Sequence, residues 1–172
     1  MEPVRVVGLG GSLRAESTSR SALEHAPTGR AQQFADTVHS SDALIWSSPT
    51  YHGSVSGAFK NALDWDPPYL SGKPIGLIST AGGSHGLQAV NTMDFIARSL
   101  RGWSVPLVMP VAQSWQSFDP AGHLKDESVA AGLRKLGAEV VRAARQFRAS
   151  GTCDYAEDAL PRAATAVTAE SR

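Results

Sequence analysis

The stretch Ala43-Leu44-Ile45-Trp46-Ser47, running on through Ser48-Pro49-Thr50-Tyr51-His52-Gly53 into Val55-Ser56-Gly57-Ala58-Phe59-Lys60-Asn61-Ala62-Leu63, decides the fold. Its first part is a short, nearly continuous apolar run, the pattern of a strand buried on both faces of a parallel sheet. Its last part sets Val55, Ala58, Phe59, Ala62 and Leu63 three and four apart, which predicts a helix with one apolar face. A rigid loop rich in Ser, Pro and Gly joins the two. The same unit recurs outward from here. Val4 to Leu9 runs into Gly10-Gly11-Ser12, and Pro74 to Ser79 runs into Thr80-Ala81-Gly82-Gly83-Ser84; a fourth run, Ser104 to Met109, stops before Pro110. Further helical stripes comprise Ala31, Phe34, Ala35 and Val38; then Leu87, Val90, Met93, Ile96 and Leu100; and finally Val129, Leu133, Leu136, Val140, Ala144 and Phe147. Strand and helix in alternation predict an open α/β sandwich with right-handed crossovers.

The chain has 172 residues, which bounds it to one compact domain. That domain is expected over residues 1–148. Residues 149–172 turn to Ala, Thr, Arg and Glu without a clear period, and read as a tail with a short helix near Tyr155 to Leu160. Sixteen Lys+Arg balance sixteen Asp+Glu. A zero net charge favours neither a nucleic-acid partner nor docking to basic redox proteins. One cysteine, Cys153, allows no internal disulfide and suits a reducing cytoplasm. Neither a secretory leader nor a membrane span is expected from the apolar pattern.

In an open parallel sheet, ligands bind outside the carboxyl ends of the strands, so the loops there hold the candidate residues. The first loop, Gly10 to Arg20, offers paired glycines, several hydroxyls, Arg14 and a following helix start, all suited to a phosphate. An ordinary strand-to-helix turn capped by Ser17 or Ser19 accounts for the same residues. Neither a P-loop nor a dinucleotide fingerprint is present. The second loop, Ser48 to Gly57, can lay a flat ring against backbone and offer it N–H groups. Each member also has a plainer role: Tyr51 as packing, His52 as a surface residue, Lys60 with Asp64 as a solvated i,i+4 pair. His25, His39, His52, His85 and His123 lack metal-ligand spacing, so no metal site is expected.

Taken in order, Gly11-Ser12-Leu13-Arg14, Ser17, Ser19-Arg20, Pro49 to Ser54, Gly57 to Trp65, Ser71-Gly72-Lys73-Pro74, Ser79 to Gly83, Phe118 to Leu124 and Asp126-Glu127 resemble the NAD(P)H-dependent FMN reductase family. The resemblance covers most of the chain outside the tail. It implies a flavodoxin-like open parallel sheet sandwiched by helices, with strand order 2-1-3-4-5, and bound FMN. Residues matching Ser12, Arg14, Ser17 and Ser19 hold the FMN phosphate in that family. Those matching Pro49, Thr50, Tyr51, His52, Gly53 and Ser54 border the isoalloxazine ring, and Ser79, Ala81, Gly82, Gly83 and Ser84 match its other edge. Ser19 stands where Asn is frequent, and Thr50 and His52 where Glu and Asn are common. These changes put the shape of the substrate pocket in doubt rather than phosphate or ring binding.

The implied chemistry is hydride transfer from NADPH or NADH to flavin N5, then electron transfer to free flavin, a quinone, an azo compound or a metal oxyanion. The cofactor carries that chemistry, so no catalytic side chain is assigned. A homodimer is implied, and pairing of dimers into a homotetramer stays open. His85 and Trp115 are placed to face the ligand or, equally, solvent or a partner subunit; Lys60 and Asp64 lie on a helix that often joins subunits. Two other classes remain: an electron carrier of the flavodoxin type, and a flavodoxin-like scaffold without flavin. The zero charge and Arg14 argue against the first; Ser12, Arg14 and the Pro49 to Gly53 loop argue against the second.

One spacing departs from the family. Residues 10–42 have room for one crossover of roughly 30 residues, but not for two with a strand between. Strand 2 and much of the first helix are missing at Ala26-Pro27, and helix residues at Trp65-Asp66. Of two explanations, a true deletion or a sequence closed up over missing segments, the second is preferred, because a deletion would bare apolar surface.

Overall fold

A computed structural model describes residues 3–12, 36–64, 70–83, 86–119 and 123–151. The elements are β1 (Val6–Gly10), β2 (Ala43–Pro49), α1 (Gly57–Asp64), β3 (Pro74–Thr80), α2 (Leu87–Ser99), β4 (Trp103–Val111), α3 (Ser114–Ser117) and α4 (Glu127–Ala149). All strand pairs are parallel, in the order β1-β2-β3-β4. Among the described residues this is the expected 2-1-3-4-5 order without its strand 2. Ala26-Pro27, Trp65-Asp66 and the expected helix near Tyr155 to Leu160 lie outside the described residues. The boundary expected at residue 148 falls at the end of α4.

β2 and β3 are the central strands and are almost wholly buried, as their unbroken apolar runs require. Alternate residues feed two cores. On one face Leu44, Trp46, Ile75 and Leu77 meet Phe59 and Leu63 of α1 and Val90, Met93 and Ala97 of α2. Trp46 and Phe59 meet edge to face, their ring centroids 5.5 Å apart, a favoured aromatic geometry. On the other face Ala43, Ile78, Val105 and Val111 meet Leu136, Val140 and Ala144 of α4. Gly76 lies directly beneath α4: a Cβ there would stand 2.8 Å from Val140 Cγ2, so the helix sits this close only because β3 carries no side chain at that point. Asp126 starts α4 as its N-cap, accepting from the Ser128 N–H at 2.8 Å.

Two readings of the sequence need correction. The fourth strand does not stop before Pro110 but continues to Val111. Val111 O accepts the Ala81 N–H, so the polar groups of Val111 face β3 and those of Pro110 face outward. A proline on the outer side of an edge strand removes no ladder bond, and Pro106 falls in the irregular stretch of the β3–β4 pairing. Leu87 does not join the core stripe of α2 either. It is 50% exposed, and the buried face is Ala89, Val90, Met93 and Ala97.

The opposite end of the sheet is closed by charge. Asp42 accepts from the Arg5 N–H at 2.7 Å and from Arg148 Nη2 at 2.5 Å, tying the last turn of α4 to the start of β2. Lys73 Nζ donates to the His39 carbonyl at 3.1 Å and to that of Ser41. Beside this clamp, Trp103 and Phe147 stack edge to face with centroids 5.7 Å apart.

Candidate functional site

The carboxyl ends of β1, β2 and β3 are stitched together by backbone and serine hydroxyls. Gly11 N–H donates to Ser47 O at 2.9 Å, and Thr50 N–H donates to Thr80 O at 2.8 Å. Ser56 is the hub. Its hydroxyl donates to the Gly11 carbonyl and accepts the Phe59 N–H at 3.2 Å, while its own N–H donates to Ser48 Oγ at 3.1 Å. Ser56 thereby caps α1 through the N–H three residues on, the usual role of an N-cap serine, and fixes the helix start against the loop after β1. Gly11 permits the contact: a Cβ there would lie 2.7 Å from Phe59 Cβ.

Beyond Thr50 the chain makes a tight two-residue turn. Tyr51 and Ser54 exchange backbone hydrogen bonds of 2.9 and 3.0 Å across His52 (φ 50°) and Gly53 (φ 81°). Positive φ at both central residues is the hairpin geometry for which glycine is favoured at the second. The turn lifts Tyr51, His52 and Gly53 into solvent; Tyr51 is 44% exposed.

The third loop leaves β3 at Thr80. Ser79 is wholly buried, and its hydroxyl donates to Gly86 O at 2.6 Å, so it contributes position rather than a free hydroxyl. Ala81 is buried, with its N–H on Val111 O and its carbonyl accepting from Ser114 N–H, both at 2.9 Å. Gly82 and Gly83 are exposed, with open space where a Cβ would stand.

The structure thus brings Ser12, Pro49, Thr50, Tyr51, His52, Gly53, Ser54, Ser79, Ala81, Gly82 and Gly83 to one edge of the sheet. Arg14, Ser17, Ser19, Ser84 and His85 lie outside the described residues. Lys60 and Asp64 form the solvated i,i+4 pair of the plainer reading. Among the described residues no group of His, Cys, Asp and Glu could hold a metal ion.

Sequence reasoning missed the roles of Ser47, Ser48 and Ser56. Ser56 had a signal, a serine just ahead of an apolar helical stripe. Ser47 had none. Its hydroxyl and that of Thr50 are buried at the end of β2 with no hydrogen-bond partner among the described residues, and an unsatisfied buried hydroxyl is destabilising by about 1–3 kcal/mol. The described parts of the loops after β1, β2 and β3 carry hydroxyls and backbone N–H groups but no carboxylate.

A parallel sheet in this order, covered by helices on both faces, with its polar loops gathered at the carboxyl edge, is the flavodoxin-like α/β fold. The flavoenzyme NAD(P)H:(acceptor) oxidoreductase FerB from Paracoccus denitrificans shares it with a TM-score of 0.61 and 20% identity, over 90% of this chain and 98% of that one. Residues 24–116 match the family model of the NADPH-dependent FMN reductases, and the chain belongs to that family. It is 29% identical to the NADPH-dependent FMN reductase ArsH of Shigella flexneri, over 81% of this chain and 68% of that protein. It is 41% identical to an FMN-dependent NADPH-azoreductase of Staphylococcus haemolyticus, over 44% of this chain and 40% of that one. The chain therefore spans about two thirds or less of the length of these relatives.

Proposed function

We propose that this protein is an FMN-dependent oxidoreductase that draws on NADPH or NADH and reduces a second small molecule. The observation that carries the reading is the pair of buried hydroxyls, Ser47 and Thr50, at the carboxyl end of β2, which have no partner among the described residues and lie within a family-matched sheet edge. Hydroxyls and N–H groups free of nearby carboxylates suit a polar, anionic cofactor, so the residues present fit FMN. When bound, FMN supplies hydride acceptance from the nicotinamide and onward electron transfer.

The chain's own residues supply binding and position. Ser12, Arg14, Ser17 and Ser19 take the phosphate. Pro49 to Ser54 border one edge of the ring, while Ala81, Gly82 and Gly83, held over the buried Ser79, border the other. His52, Gly53, Gly82 and Gly83 are exposed, and their N–H groups offer donors to negative charge on the ring; preorganised donors of this kind need no rearrangement as charge develops.

The acceptor is a free flavin, quinone, azo compound or metal oxyanion. The working unit is a homodimer, or a tetramer of two such dimers, in the cytoplasm. Phe95 and Leu87, 72% and 50% exposed on α2, support a subunit contact. The test is to load the purified protein with FMN and add NADPH without oxygen. Loss of the yellow colour with no partner present supports the enzyme; a lasting yellow favours a carrier.

A further inference from the structure

Two aromatic side chains stand exposed at the carboxyl edge, and both hang from the same strand end. Thr80 O accepts the Thr50 N–H ahead of Tyr51, and the next residue, Ala81, accepts the Ser114 N–H ahead of Trp115. Trp115 is 70% exposed. Its platform is fixed at both ends. Gln113 adopts a left-handed conformation (φ 45°, ψ 44°) and donates its N–H to Gly83 O at 2.9 Å. At the other end of α3, Ser117 O accepts the Lys125 N–H at 2.9 Å, and Ser117 Oγ reaches back to the Ala112 carbonyl at 3.3 Å. A non-glycine residue held in the left-handed region carries strain that its surroundings must offset. Here it turns the chain from β4 onto the Gly82–Gly83 loop. A large indole left in water on such a mount gains nothing for the core, and the mount itself is hydrogen-bonded through Gln113 to Gly83, one of the glycines proposed to border the flavin.

The geometry points to Trp115, with Tyr51 across the same edge, as the residue that selects planar aromatic electron acceptors such as quinones by stacking against them. This rests on the proposed oxidoreductase reading. The overall conversion is NADPH + H⁺ + quinone → NADP⁺ + hydroquinone: two electrons and one proton leave the nicotinamide, and solvent supplies the second proton. Aromatic side chains favour flat partners through offset or edge-to-face contact, whereas ferricyanide, an octahedral anion without a π face, gains nothing from an indole.

The test compares wild type, Trp115→Ala and Trp115→Phe, each loaded with FMN. With NADPH as reductant, the ratio of kcat/KM for anthraquinone-2-sulfonate to that for ferricyanide should fall at least fivefold in Trp115→Ala and recover in Trp115→Phe. Independently of turnover, the Kd of anthraquinone-2-sulfonate for the oxidised protein should rise at least fivefold in Trp115→Ala, with the same recovery. Smaller changes in both overturn the proposal. An unchanged ratio with an altered native mass makes Trp115 a subunit contact and also overturns it. Should NADPH fail to reduce the wild type, the oxidoreductase reading falls, and the Kd measurement alone decides whether Trp115 binds aromatic ligands.

Discussion

Ser56 joins the start of α1 to the end of β1: its hydroxyl donates to the Gly11 carbonyl across 45 residues of chain while it accepts the Phe59 N–H. One side chain thus caps a helix and positions a loop of the candidate cofactor site. Ser56→Ala should destabilise the protein by about 1–2 kcal/mol, the range for a lost N-cap serine. It should also weaken FMN binding, because the Gly11 loop loses its tether. Denaturant midpoints and an FMN titration check the two effects; a stable variant with unchanged FMN affinity would remove Ser56 from the site's scaffold.

Gly11→Ala places a methyl group 2.7 Å from Phe59 Cβ. The Phe59 Cβ is the first atom of its side chain and cannot swing away, and the next neighbour, Ser56 Oγ at 2.9 Å, is held by its hydrogen bond to the Gly11 carbonyl. Overpacking of this kind is destabilising by about 1–3 kcal/mol, and thermal unfolding of the FMN-free variant should show it.

Thr50→Val separates folding from binding. The Thr50 hydroxyl is buried without a partner among the described residues, so removing it should leave the FMN-free protein as stable as wild type or more so, by up to about 1–3 kcal/mol. FMN affinity should move the other way and fall. Loss of stability in the FMN-free protein would mean that the hydroxyl has an internal partner.

Asp42 contributes to the loss of stability in acid. Burial pushes its carboxyl up, but the Arg5 N–H, the Arg148 guanidinium and the Lys73 ammonium outweigh this and hold it below the ordinary 3.8. A carboxylate with a lowered folded pKa contributes stability that is full above the unfolded value and lost as pH falls through the folded one. Below about pH 4 the wild type should therefore lose stability faster than Asp42→Asn. At neutral pH that variant should be less stable by about 1 kcal/mol. Parallel slopes of stability against pH would exclude Asp42 as the group responsible.

The sheet was legible because Ala43 to Ser47 and Pro74 to Ser79 are apolar without alternation, a pattern that burial on both faces imposes. The edge strand was less so. Pro110 reads as a stop, and only the outward orientation of its nitrogen, a property of the pairing, lets β4 continue. Leu87 has the spacing of a core residue but sits on the first turn of α2, where Ala89 takes the buried place. At the candidate site, loop composition pointed to the carboxyl edge, where the structure gathers the described loop residues. It did not show that Ser79 turns inward to Gly86 or that Ser47 and Thr50 lack partners among the described residues, since side-chain partners across loops depend on three-dimensional approach and leave no periodic trace.

We propose, above all, that this edge of the sheet holds FMN that a nicotinamide can reduce. The most direct measurement is the visible absorbance of the FMN-loaded protein during anaerobic addition of NADPH and, separately, NADH. One of them should bleach the flavin band with no other protein present. A band unchanged by both, or a protein that takes up no FMN, would contradict it.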